Sequence, residues 1–165
     1  MTSARSIARL TPMTMTMASA ILDGPRDDGW AADYPTEGDV EVATWLVTAR
    51  EGFPEAGSRW GPMVVIDART GLIVGGVGFH AEPRADGTVE IGYAVAASVH
   101  GHGIATEAVR LLIATAAEQG AHAAVAGTDS TNLPSQRVLE KNGFTMSGRD
   151  GDELRWLLRL APSAS

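Results

Sequence analysis

Between Glu90 and Leu112 the chain reads EIGYAVAASVHGHGIATEAVRLL, an apolar run, two glycines one residue apart, and then a helical pattern. Ile104, Ala108, Leu111 and Leu112 follow the i, i+4, i+7, i+8 spacing of a helix with one buried face, which predicts a helix from Gly103 to about Gly120, a C′ glycine. A strand that enters a helix through Gly101 and Gly103 leaves the first helical amides without intrahelical acceptors, and the helix dipole adds positive character there. Such a turn suits a phosphate or another anion, because glycines without Cβ let the backbone approach closely. The next short run, AHAAVAGT, supplies the second strand of a β-α-β unit.

The rest of the chain reads as antiparallel. MVVID and LIVGGVGFH are joined by Ala68-Arg69-Thr70-Gly71, a hairpin connection with a glycine for positive φ, and Asp86-Gly87 turns the chain into TVEIGYAVA. Before these, a strand is expected around Ile7 to Leu10 and a helix with Pro12 in its first turn. Residues 23 to 39 are rich in Gly, Pro and Asp and read as a loop, with Thr36 or Asp39 capping a helix that runs to about Ala49. Pro134 to Asn142 predicts a short helix stopped by Gly143, and Phe144–Met146 with Leu154–Leu160 a closing strand pair. The order β, α, α, β, β, β, α, β, α, β, β places the chain in the α+β class. At 165 residues it fits one domain, spanning 1–165.

Composition excludes several functions. A formal net charge of -7 repels phosphate backbones, so no nucleic acid is expected as partner, and no apolar run is long enough for a membrane span. The absence of cysteine excludes disulfides and thiolate chemistry and agrees with a reducing, cytoplasmic location. Arg5 and Arg9 ahead of LTPMTMTMASAIL, with Ala18-Ser19-Ala20, have the outline of a secretion signal, but Pro12 and alternating threonines interrupt its apolar stretch. His80, His100 and His102 lack any cysteine or third-ligand spacing, so no metal is expected.

Two common anion loops fail on the letters. A dinucleotide fingerprint needs a small third residue where Thr106 stands, and an ATPase-type loop needs a lysine that is missing. His100-Gly101-His102-Gly103-Ile104-Ala105 instead resembles the acetyl-CoA-binding motif of the GNAT superfamily of N-acetyltransferases, Arg/Gln-x-x-Gly-x-Gly/Ala. TNLPSQRVLEKNGF resembles that family's later motif through Asn132, Ser135, Gly143 and Phe144, and Glu90-Ile91-Gly92-Tyr93 resembles its ribosomal-protein N-acetyltransferase branch. The likeness runs from about Thr88 to Phe144.

The resemblance implies a mixed, mostly antiparallel sheet of about six to seven strands flanked by helices, with a splayed strand pair at the cofactor site. Residues 1–62 would then form the acceptor side and 63–160 the sheet core and acetyl-CoA site. Tyr93, Ala94 and Val95 would line the pantetheine arm, the stretch His100, Gly101, His102, Gly103, Ile104 and Ala105 would hold the pyrophosphate, and Asn132 and Ser135 would flank the thioester. His100 replaces the usual Arg or Gln, so a ring donor stands where a fixed cation is expected.

Acetyl transfer to an amine needs a base, an oxyanion donor and a proton for the leaving thiolate. Glu90, on the strand that enters the cofactor site, is the candidate base, acting through a water. A backbone N–H near Val95 is the candidate oxyanion donor. Many relatives carry a tyrosine where this chain has Leu139. Ser135 is the substitute acid and Tyr34 the second choice, although a thiol is also a tolerable leaving group unaided. Asp33, Tyr34, Glu37 and Asp39 in WAADYPTEGD, together with Glu90, are candidates for an acidic acceptor wall that suits a protonated amine. The expected function is acetyl transfer from acetyl-CoA to a primary amine, on a small molecule or a protein N-terminus, by direct attack in a ternary complex. The missing tyrosine and altered first motif position support an alternative, a non-catalytic acyl-CoA-binding or sensor module. A homodimer is the default assembly.

Overall fold

A computed structural model describes residues 5–161. The chain forms β1 (Ala8–Pro12), α1 (Met15–Asp23), α2 (Glu37–Val47), β2 (Met63–Asp67), β3 (Ile73–Phe79), β4 (Thr88–Val95), α3 (Ile104–Glu118), β5 (Ala123–Asp129), α4 (Leu133–Lys141), β6 (Thr145–Asp150) and β7 (Glu153–Arg159), with one 3-10 turn at Ala97–Val99. The strands make one seven-stranded sheet in the order β1-β2-β3-β4-β5-β7-β6. Every neighbouring pair is antiparallel except β4 and β5, which α3 connects. The expected mixed, mostly antiparallel sheet flanked by helices is therefore what the chain builds.

Helices cover both faces. Val64 and Val65, adjacent on β2 and both fully buried, show why: Val64 joins Met13, Ala18, Ala43 and Leu46 under α1 and α2. Val65 belongs to the larger core with Ile104, Ala108 and Leu112 of α3. The apolar spacing read from α3 is this buried face. No helix among the described residues is long and apolar enough to cross a membrane.

Two local features bear on the start of each N-terminal helix. Pro12 ends β1 instead of opening a helix. Thr14 starts α1, its hydroxyl accepting the Met17 N–H at 3.1 Å, and proline is tolerated at the end of an edge strand. α2 begins with a capping box, where Thr36 accepts the Asp39 N–H and the Asp39 carboxylate accepts the Thr36 N–H. That box buries a carboxylate beside the sheet.

Candidate active site

Strand β4 pairs with β5 only at Thr88↔Ala123, Val89↔Ala124 and Glu90↔Val125, and the two strands part beyond these residues. On its other side β4 remains paired with β3 as far as Val95. In that antiparallel ladder His80 N–H donates to Glu90 O and Ala96 N–H to Val74 O. Bonded pairs alternate, so the backbone groups of Tyr93 and Val95 turn away from β3, toward the opening. The splay thus exposes a strand edge inside the molecule. Glycine permits the close approach that keeps it in place: a Cβ on Gly75 would strike the Ala94 carbonyl oxygen.

The opening widens into a groove of about 650 Å³, floored by β4 and bounded by the α3 N-terminus and one side of α4. Gly101 and Gly103 both have positive φ, 79° and 78°, and Gly103 is the N-cap of α3. The first bond of the helix runs from Glu107 N–H to Gly103 O, so the amides of Ile104, Ala105 and Thr106 have no intrahelical acceptor. Arg137 and Lys141, one turn apart on α4, bring positive charge to the same groove. These amides and cations are what a pyrophosphate requires.

Tyr93 bridges the groove. Its phenol oxygen is 2.7 Å from Ser135 Oγ and donates to the Ser135 carbonyl at 2.8 Å, joining β4 to the first turn of α4. Burial pushes the Tyr93 phenol up to about 12, with the Ser135 hydrogen bond acting in the opposite direction. Asn132 caps α4, its side chain accepting the Ser135 N–H at 3.2 Å.

A second, smaller cavity of about 220 Å³ opens on the other side of β4. Gly38, Tyr93 and Ala94 line both cavities, so the two meet across the strand. Asp39, 2% exposed, lines the smaller one. Its Oδ2 accepts from Thr36 N at 2.9 Å and Thr36 Oγ1 at 2.7 Å, and burial raises its carboxyl above the usual range despite these bonds. Its Oδ1 stands over Gly76, where a Cβ would approach it to 2.5 Å. His80 also lines this cavity and covers Gly92. Behind it, Glu90 lies 3.7 Å from His80 Nδ1 and 3.8 Å from Arg84.

The residues singled out from the sequence do not all fall in one place. Tyr93, Ala94, Val95, His100, Gly101, Gly103, Ile104, Ala105, Asn132 and Ser135 line the large groove. His102 is exposed outside it, its Nδ1 3.4 Å from Arg69. The His100 ring is 3.0 Å from the Val95 carbonyl. Asp33 accepts from Ser98 N–H and Oγ–H, which hold its carboxyl below the usual range. Tyr34 is in the core, 1% exposed and edge-on to Trp30, and lines neither cavity. Arg137, Lys141 and His80 line the cavities without having been expected there. The first two share a helix face with Pro134, Ser135 and Val138, a spacing visible in the letters. His80, exposed at the end of β3, borders the smaller cavity with Glu90 3.7 Å from its Nδ1, a neighbour on the adjacent strand that no local spacing reveals.

A family model described as an acetyltransferase (GNAT) domain matches residues 12–145. The uncharacterized N-acetyltransferase YjdG of Bacillus subtilis strain 168 is 35% identical over 86 residues, 52% of this chain. The matched stretch is 51% of that curated relative, about half its length. Among solved structures, the ribosomal-protein-S5-alanine acetyltransferase of Vibrio fischeri superimposes with a TM-score of 0.66 at 18% identity, covering 95% of each chain. The spermidine N-acetyltransferase of Vibrio cholerae, in complex with CoA and spermine, gives 0.65 at 14% identity, covering 94% of this chain and 96% of that one. At such identities these two structures speak for the fold.

Proposed function

Because the chain belongs to the GNAT acetyltransferase family, we propose that it binds acetyl-CoA in the large groove and transfers the acetyl group to a primary amine held in the smaller cavity, by direct attack in a ternary complex. The observation that carries this reading is the meeting of the two cavities across Tyr93 and Ala94, which would let a thioester on one side reach an amine on the other. The Tyr93 backbone groups pair with the amides of the pantetheine arm. The amides of Ile104 to Thr106 hold the pyrophosphate, with Arg137 and Lys141 beside them.

In the transfer, Glu90 takes a proton from the ammonium through the ring of His80 or an intervening water. The neutral nitrogen attacks the thioester carbonyl carbon, and the Val95 N–H stabilises the oxyanion, a contribution of about two orders of magnitude in rate. As the C–S bond breaks, Ser135, hydrogen-bonded to Tyr93, protonates the leaving sulfur and recovers its proton from the nitrogen of the new amide. With no cysteine in the chain, a thiol-linked acyl-enzyme has no nucleophile.

The test is thiol release from acetyl-CoA by purified protein with a broad panel of amines, for the wild type and Glu90→Gln. Acetylation of at least one amine, reduced roughly 100-fold in the variant, is expected. If acetyl-CoA binds but no amine is acetylated and the substitution changes nothing, the protein is a non-catalytic acyl-CoA-binding module.

A further inference from the structure

From the smaller cavity we infer that the acceptor is a small primary monoamine with an apolar, aromatic-sized body, anchored through its ammonium by Asp39. This rests on the acetyl-transfer reading above and names the substrate class of the same site.

The anchor comes first. Among the described residues the protein hydrogen bonds to the Asp39 carboxylate all reach Oδ2, which the capping box of α2 requires, so Oδ1 remains for a ligand. A buried carboxylate raised by desolvation gains most from a cation that enters with it. Gly38, the residue before it, borders the cofactor groove as well, so an ammonium on Oδ1 stands beside the junction where the thioester is expected.

The walls then select the body attached to that ammonium. Away from Asp39 the cavity is bounded by Met13, Val42, Trp45, Phe53 and Phe79. A volume of about 220 Å³ holds roughly 7 to 11 non-hydrogen atoms at about 20 to 30 Å³ each. Size alone would admit a linear polyamine, but charge does not. The Trp45 face that could receive a second cation is already covered by the Arg50 guanidinium, 4.4 Å from the ring centroid. Glu90 is paired with Arg84, and Glu41, though it lines the cavity, is solvent-exposed. A second ammonium would have only the solvent-exposed Glu41 as a counter-charge and would otherwise lie against apolar surface, a costly arrangement. A phenyl or short alkyl body buries apolar area there instead.

The experiment compares kcat/KM for 2-phenylethylamine, spermidine and a short peptide beginning with alanine. The wild type is expected to prefer 2-phenylethylamine at least tenfold over both others. Asp39→Asn, which keeps an acceptor for the helix cap, should lower kcat/KM for 2-phenylethylamine at least tenfold, mainly through KM, with CoA affinity unchanged. Trp45→Ala, which leaves the cap intact, should reduce the preference over spermidine threefold or more, and decides the matter if the Asp39 variant does not fold. A wild-type preference for spermidine or for the peptide overturns the inference while leaving acetyl transfer standing, as does a preference unmoved by either substitution. Failure to acetylate any amine overturns the acetyl-transfer reading itself.

Discussion

The phenol oxygen of Tyr93 on β4 and the hydroxyl oxygen of Ser135 on α4 are 2.7 Å apart at the edge of the cofactor groove. The position on α4 where the family resemblance leads one to expect a tyrosine holds Leu139, fully buried in the core. A phenol therefore reaches the same helix from the facing strand. If the pair protonates the leaving sulfur, Ser135→Ala and Tyr93→Phe each lower kcat by roughly 10- to 100-fold, within the usual range for a general acid. The defect should shrink with an acetyl thioester of a more acidic thiol, whose leaving group needs no proton. Equal defects with both donors would exclude the pair from this step.

Burial of the phenols also has a consequence for stability in alkali. Tyr93 is pushed up to about 12 by burial, and Tyr34 is raised by burial with the Asp39 charge adding to it. In the unfolded chain both ionise near about 10, so the folded state retains protons that the unfolded state has lost. Their contribution is complete below pH of about 10 and is lost as pH rises toward 12 and beyond. For Tyr93 the loss approaches about 3 kcal/mol. Urea unfolding of wild type and Tyr93→Phe between pH 8 and 11.5 should show a shallower alkaline decline in the variant, and parallel declines would contradict this.

Gly75 fixes how closely β3 approaches the part of β4 that parts from β5. Its added Cβ would meet backbone, the Ala94 carbonyl and the Val95 Cα, neither of which can rotate aside. Gly75→Ala should cost roughly 2 to 4 kcal/mol in thermal or urea unfolding, in the range of overpacked sites, and weaken CoA binding together with it. Gly148→Ala is the control, because a Cβ there meets nothing within 4 Å. Similar losses at both positions would remove the special role of Gly75.

The positive charges of the groove are few in a chain of net charge -7. Arg137→Ala and Lys141→Ala should each weaken CoA binding about 5- to 10-fold at low salt and flatten its dependence on ionic strength, measured by calorimetry from 0.02 to 0.5 M salt. Unchanged salt dependence would remove them from phosphate binding.

Legibility in the sequence tracks the range of the interactions. The β4-turn-α3 unit is readable because its glycines, apolar spacing and helix start are all local. The cap at Thr36 is readable for the same reason, one side chain bonded to an amide three residues on. Pro12 misleads because two start signals compete within three residues and the Thr14 hydroxyl satisfies an amide that proline leaves open. Asp33 and Tyr34 lie in the expected loop, yet Asp33 is held from outside it by Ser98, while within the loop Arg26 donates to the Tyr34 carbonyl at 2.6 Å. The burial of Asp39 depends on α2 docking on β3, and the place of His80 at the cavity on the pairing of β3 with β4. Such tertiary relations leave no local spacing.

His100 occupies the position where the motif carries Arg or Gln, and its geometry limits what it can offer a phosphate. Its Nε2 is 3.0 Å from the Val95 carbonyl, which can only accept, so Nε2 carries the proton. In the neutral ring Nδ1 is then a lone pair, and only the protonated ring presents a second N–H to a phosphate in the groove. A ring contact to phosphate predicts that His100→Gln weakens CoA binding by about 3- to 10-fold, measured by calorimetry, while an unchanged Kd would leave His100 with the Val95 carbonyl alone. His100→Arg supplies the fixed cation and should bind CoA at least as tightly as the wild type.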